Sequence, residues 1–203
     1  MDHLEITFLR HGRSRADDED VLEGRYDSPL TEVGQAQARA RAKGWEQAGV
    51  QFDQVICSTL ARARSTAEIV AGILGAPLEA DPAWMEMDNG QMSGLSHAEA
   101  DVRFPKQAFF GPYDRKGLTG ESDVDIHFRA MMALQNVVRR GPGRYLVVAH
   151  GGILNAALRV IAGAPHPVNF HGVWFAFTDL GYARFTYAPA NHRWTLREFR
   201  CDL

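Results

Sequence analysis

Two histidines stand at the ends of apolar runs and in front of glycine: His11 in Leu9-Arg10-His11-Gly12 and His150 in Val148-Ala149-His150-Gly151-Gly152. An imidazole nitrogen can attack phosphorus and hold the phosphoryl group as a phosphoramidate, which water later cleaves. The transferred group spreads its charge over three equatorial oxygens, so cations around it do most of the catalytic work. Arg10 beside His11, and Arg62 in Ala61-Arg62-Ala63-Arg64, each offer a planar guanidinium that can grip two oxygens. His150 offers a further donor. The leaving alkoxide needs a proton, and Glu86 in Trp84-Met85-Glu86-Met87-Asp88-Asn89-Gly90 is the candidate to give it. Singly, these residues read as a capping histidine, a solvated arginine or a surface carboxylate. Together, at the ends of strands, they point to one site.

The elements that must position them can be read from the pattern. Residues 6–9 form a short buried strand that runs straight into Arg10. Thr31 caps a helix reaching about Gly49, with a gapped Ala, Val and Trp pattern on one face. Residues 54–57 read as a second strand, and residues 59–74 as a second helix ended by Gly75 and Pro77. Ser96 with Glu99 makes a capping box for a short helix that stops before Pro105. Asp123 opens a helix reaching Arg140. Residues 145–149 are apolar on both faces, as suits a central parallel strand, and the helix after His150 runs to about Ala162. From Val173 onward, two or three alternating strands suggest an antiparallel edge.

Strands alternating with helices predict a three-layer α/β/α fold whose open sheet is mostly parallel and has an antiparallel edge. One domain is expected over residues 1–203, with a lid or insertion around residues 95–122. Open sheets bind ligands at the carboxyl ends of their strands. Arg10-His11-Gly12, Ser58 with Arg62, and His150-Gly151-Gly152 should therefore meet at one edge.

Composition narrows the partners. Among 203 residues, 45% are apolar and 23% charged, with a net charge of −3. That balance gives no reason to expect nucleic acid, so an anion must be held by local cations rather than by the whole protein's field. No apolar run approaches the roughly 18 residues of a membrane span. The start, Met1-Asp2-His3-Leu4-Glu5, lacks the basic-then-apolar order of a signal peptide. Cys57 and Cys201 are too few for a disulfide framework, and a cytoplasmic protein with reduced thiols is expected. Four and six residues separate Cys57 from Arg62 and Arg64, which is not the spacing of a cysteine phosphatase loop, so Cys57 reads as a buried strand end. Asp17-Asp18-Glu19-Asp20 reads as a solvated loop rather than a metal site. No metal or cofactor is expected, and the sequence carries no signal for an oligomeric state.

In their order, these segments resemble the histidine phosphatase superfamily, which includes the cofactor-dependent phosphoglycerate mutases. Leu9-Arg10-His11-Gly12 resembles the signature of the phosphorylated histidine. Gly24-Arg25-Tyr26-Asp27-Ser28-Pro29-Leu30-Thr31, with Gly34 and Gln37-Ala38, is similar to a second block. Cys57-Ser58-Thr59-Leu60-Ala61-Arg62 through Ala67 is similar to a third, in which the arginine matching Arg62 binds phosphate. Glu86, with Gly90 and Gly94, falls at the place of the proton donor. Gly120-Glu121-Ser122 and the His150-Gly151-Gly152 segment complete the set. The resemblance implies catalytic roles for His11, Glu86 and His150. It implies binding of a small phosphorylated substrate by Arg10, Arg62, Asp17, Gly24, Arg25 and Gly151.

The chain departs from the family at several positions. Arg13 stands where Glu or Gln is usual, and Asp17 where Asn is usual. An ionised Asp17 cannot donate to a phosphate oxygen and repels a dianion. It must turn outward to pair with Arg13 or Arg15, or stay protonated and donate as asparagine would. Met87 and Asn89 stand where mutases resemble one another in a basic residue and an aromatic, and the segment from Glu86 to His150 is short for a mutase. Both favour a phosphomonoesterase acting through phosphohistidine. The alternatives are a cofactor-dependent phosphoglycerate mutase, or a phosphoester-binding module with weak or no turnover. Lys106, Phe109, Phe110, Tyr113, Arg115 and Lys116 either recognise the rest of the substrate or form a packed, solvated loop.

Overall fold

The computed structural model describes residues 3–201. Its elements run β1 (Leu4–Arg10), α1 (Arg15–Glu19), α2 (Glu32–Gln47), β2 (Gln54–Cys57), α3 (Ala61–Leu74) and β3 (Leu78–Ala80). They continue with α4 (His97–Arg103), α5 (Asp123–Val138), β4 (Gly143–Ala149), α6 (Gly151–Ala162), β5 (Tyr182–Ala188) and β6 (Arg193–Arg200). Successive side chains of a strand point to opposite faces of the sheet. β1 thus sends Leu4, Ile6 and Phe8 to one face and Leu9 to the other, and β4 divides Tyr145, Val147 and Ala149 from Leu146 and Val148. Strands apolar on both faces must be covered twice. α5 and α6 cover the first face through Ile126, Leu134, Ile153 and Leu154, while α2 and α3 cover the second through Ala38, Ala42, Ala67 and Val70.

The six strands lie in the order β3-β2-β4-β1-β5-β6. The first four are mutually parallel, and β5 and β6 are antiparallel, so this is the anticipated α/β/α sheet with an antiparallel edge. The register sets Arg10 level with Ala149 and Cys57 level with Val148. The carboxyl ends of β1, β4 and β2 are therefore side by side, and the segments that follow them emerge at one edge.

The structure departs locally from the sequence reading. α3 opens at Ala61 rather than residue 59, and α2 stops at Gln47. β3 was not anticipated: its three residues are exposed on the sheet's edge and show no burial pattern. The acidic run after Ser14 is the helix α1 rather than a loop, with Ser14 and Asp17 forming a reciprocal capping box. No strand forms over residues 173–181, although alternation suggested one. There, the Asn155 side chain takes the Phe175 N–H (2.7 Å) and donates to its C=O (2.9 Å), and Arg10 Nη1 donates to Phe177 O (3.0 Å). Backbone groups spent on side chains cannot also build a ladder. Past α4, residues 104–122 contain no helix or strand, and Phe110 stacks on Phe170 with Lys116 Nζ 4.3 and 4.5 Å from the two rings. Among the described residues, no helix is long and apolar enough to cross a membrane.

Candidate active site

His11 follows β1 directly and its own N–H still bonds Ala149 O at 3.0 Å, so the ring is held by the sheet. Its Nδ1 lies 2.7 Å from Gly12 O, and Arg62 Nε donates to its Nε2 at 3.3 Å. A carbonyl only accepts and a guanidinium only donates, so the partners assign the proton to Nδ1 and leave a lone pair on Nε2. Burial, then the charges of Arg62 and Arg10, hold the imidazole pKa well below its ordinary value. The ring is neutral, and its outward nitrogen has the form a nucleophile needs.

Arg62, on the first turn of α3, is fully buried. Its Nη1 donates to Tyr26 O at 2.9 Å and its Nη2 to Gly24 O at 2.8 Å. Gly24 has φ +48°, a left-handed conformation that suits glycine and brings its carbonyl to the guanidinium. Thr66 closes the arrangement by bonding Arg62 O at 2.7 Å and accepting from Gly12 N at 3.2 Å. Arg10 lies 3.7 Å from Asp179 and 3.9 Å from Asp17. One guanidinium therefore ties the loop at Gly24 to the nucleophile-like nitrogen, while the other stands between two carboxylates.

His150 is also fully buried, and its ring centre is 5.0 Å from that of His11. Its Nε2 lies 2.8 Å from Ser58 Oγ, which accepts from Leu60 N at 3.2 Å, while its buried Nδ1 has no protein partner. Burial, then Arg62, lowers its pKa well below the ordinary value. Glu86 caps α6, because Oε2 accepts from Gly152 N at 2.9 Å and Oε1 from Ile153 N at 3.0 Å. Oε1 also takes the Met87 N–H at 2.7 Å. The first N–H groups of a helix have no partner within it, and the residue before α6, His150, gives no side-chain cap. A Cβ on Gly152 would lie 2.5 Å from Glu86 Oε1, so glycine admits the carboxylate.

Asp17 turns neither to Arg13 nor to Arg15. Arg13 pairs with Asp18 at 2.6 Å and Arg15 with Glu19 at 3.0 Å. Asp17 Oδ2 instead accepts from Ser14 N (2.7 Å) and Ser14 Oγ (3.0 Å), in the Ser-x-x-Asp spacing that marks a capping box in the sequence itself. Arg25 does not line the cavity; it lies 3.4 Å from Asp88 and 3.5 Å from Glu121. Together with Arg129, whose guanidinium donates to the carbonyls of Ala83, Met85 and Glu86, it braces the backbone under Glu86. Glu23 escaped the sequence reading. Its Oε1 lies 3.4 Å from Arg62 Nε and its Oε2 3.8 Å from His11 Nε2, and burial raises its pKa.

These groups surround a cavity of about 340 Å³ lined by Arg10, His11, Glu23, Gly24, Glu86, Met87, Asn89, Gly151, Gly152, Asn155, Trp174 and Phe177. Arg62 and His150 stand behind that wall. Neither Asp17 nor the cations and aromatics of residues 106–116 line it. A larger cleft of about 1050 Å³, walled by Met131, Leu134, Val160, Tyr187 and Trp194, shares no residue with it and is mostly apolar. Cys57 lies in the core beneath, its thiol pKa pushed up to about 11 by burial, which fits a strand end and not a nucleophile. Among the described residues, no three His, Cys, Asp or Glu side chains group so as to hold a metal ion.

The family model of the histidine phosphatase superfamily (branch 1) matches residues 6–196. The chain belongs to that superfamily. Within it, a 2,3-bisphosphoglycerate-dependent phosphoglycerate mutase of Methylobacterium sp. (strain 4-46) is 36% identical over 168 residues, covering 78% of this chain and 80% of the relative. Among solved structures, Bacillus stearothermophilus YhfR superposes with a TM-score of 0.85 at 25% identity over 98% of both chains. A mycobacterial glucosyl-3-phosphoglycerate phosphatase in complex with VO3 shares the fold, with a TM-score of 0.78 at 23% identity over 98% of this chain and 100% of its own. A mutase is thus among the sequence relatives, and a phosphatase among the solved structures that share the fold.

Proposed function

We propose that this protein is a phosphomonoesterase that passes the phosphoryl group of a small phosphorylated metabolite through His11 to water. His11 Nε2 attacks phosphorus as the P–O ester bond breaks, and Arg10 and Arg62 draw off the charge on the equatorial oxygens. His150 Nδ1, buried without a protein partner, donates to one of these oxygens in the Nδ1–H tautomer. Glu86 protonates the leaving alkoxide. Its carboxylate then takes a proton from the water that cleaves the P–N bond, releasing inorganic phosphate and free His11. Gly24 and Gly151 present backbone to the phosphoryl group.

One observation carries hydrolysis over mutase chemistry. Arg10 is the cavity's only cation among the described residues, and the wall beyond the phosphoryl position is Met87, Asn89, Asn155, Trp174 and Phe177. A mutase must hold a second acidic group while a bisphosphorylated intermediate re-docks, and these side chains offer no charge for it. The nearby cations are engaged elsewhere, Arg25 with Asp88 and Glu121 and Lys116 between two phenyl rings. The 36% identical relative, a 2,3-bisphosphoglycerate-dependent phosphoglycerate mutase, favours the mutase alternative. Turnover of a panel of phosphomonoesters with 3-phosphoglycerate, with and without 2,3-bisphosphoglycerate and in EDTA, separates the two. Phosphate release from esters of uncharged alcohols without the bisphosphate is expected; phosphoglycerate isomerisation that depends on the bisphosphate would establish the mutase instead.

A further inference from the structure

We propose that Glu23 gates the site: its carboxyl group occupies the ground beside Arg62 and His11 that a phosphoryl group must take, and substrate enters when Glu23 carries a proton. The inference rests on the phosphohistidine reading above. Glu23 precedes Gly24 in the loop that Arg62 holds, with Oε1 3.4 Å from Arg62 Nε and Oε2 3.8 Å from His11 Nε2. A phosphorus bonded to His11 Nε2 and held by Arg62 would bring its oxygens to this same space.

The groups facing Glu23 come from three elements. Arg10 and His11 stand at the end of β1, Ser14 and Asp17 at the start of α1, and Arg62 on α3. The two arginines favour the carboxylate, as does the Ser14 hydroxyl when it donates to Glu23, and Asp17 opposes it. Ser14 Oγ contacts both Glu23 Oε1 and Asp17 Oδ2, yet a hydroxyl has one proton to give. When Ser14 donates to Asp17, its contact with Glu23 requires a proton on Glu23. Burial acts in the same direction and raises the carboxyl's pKa. Ionised, Glu23 competes with the phosphate dianion for Arg62 and repels it. Protonated, it removes that repulsion and can donate to a phosphoryl oxygen, as an ionised carboxylate cannot.

If binding takes up one proton at Glu23, affinity for phosphate falls about tenfold per pH unit above the Glu23 pKa. The test is calorimetry of inorganic phosphate and orthovanadate from about pH 5 to about pH 9, on the native protein and Glu23→Gln, beside kcat and KM for p-nitrophenyl phosphate. Phosphate's own ionisation acts equally on both proteins, so the ratio of their affinities isolates Glu23. Glu23→Gln should match or exceed the native affinity, with a margin that grows toward tenfold per pH unit at alkaline pH and falls on KM more than on kcat. Glu23→Ala, lacking the amide, should show the same flattened profile. A ratio that stays constant with pH, or weaker alkaline binding by both variants, overturns the gate while leaving the phosphatase reading intact. The expected binding profile without turnover keeps the gate and removes the phosphatase. No phosphate binding by any of the three proteins at any pH overturns both.

Discussion

Replacing Glu86 by Gln changes two things at once, and the structure gives a size for each. The carboxylate accepts three N–H bonds, from Gly152, Ile153 and Met87, and caps a helix whose own N-cap residue, His150, makes no side-chain cap bond. Gln keeps one acceptor oxygen, which can serve Ile153 and Met87, but turns its NH2 toward the Gly152 N–H. Losing one bond to a charged group costs about 1.5–3 kcal/mol. Losing the negative charge at the helix N-terminus costs about 0.3–1 kcal/mol more. At about 2–4 °C per kcal/mol for a chain of this size, Glu86→Gln should melt about 4–16 °C below the native protein. Loss of a general acid should also slow alkyl phosphates by about 10²–10⁴-fold, and p-nitrophenyl phosphate far less, since its leaving group needs little protonation. The assay is kcat on both substrates well below the melting temperature, with a thermal melt alongside. Equal losses on the two substrates would make Glu86 a helix cap only; an unchanged melt would refute the capping argument.

Two further expectations follow from the same geometry. In Gly152→Ala the new Cβ would lie 2.5 Å from Glu86 Oε1 and push the carboxylate aside. The alkyl phosphates should again lose about 10²-fold, and native kinetics would show that Glu86 need not sit where it does. His11 and His150 are held neutral by burial, so their folded pKa values lie below the unfolded value of about 6.5. Their contribution to stability is complete above that pH and is lost as pH falls toward the folded values. Glu23, with a raised pKa, works in the opposite sense, its contribution being lost as pH rises through the folded value. The urea midpoint of Glu23→Gln should therefore drop between about pH 7 and pH 5. A flat midpoint there would contradict the buried neutral histidines.

What the sequence made legible was whatever depended on a strand end. Arg10-His11-Gly12 and His150-Gly151-Gly152 follow runs apolar on both faces, and such runs form adjacent central strands whose ends must converge. Arg62 was legible by its place after the second strand. Glu23 was not, because a single acid in a loop carries no period, and its position depends on Arg62 reaching two loop carbonyls 36 and 38 residues away in sequence. The pairing of Asp17 with Arg13 or Arg15 failed for a local reason. The Ser14-to-Asp17 spacing already spelled a capping box, and that bond leaves no pairing with Arg13 or Arg15. Trp174 and Phe177 line the cavity from an irregular segment whose path is set by Asn155 and Arg10, partners that no alternation pattern could reveal.

If His11 carries the phosphoryl group, rapid quench of the protein with a ³²P-labelled phosphomonoester will capture it there. An acid-labile, base-stable phosphoprotein should form within one turnover, with the label on His11 and absent in His11→Ala. Label recovered on a serine, an aspartate or Cys57, or full turnover by His11→Ala, would rule out a phosphohistidine at His11.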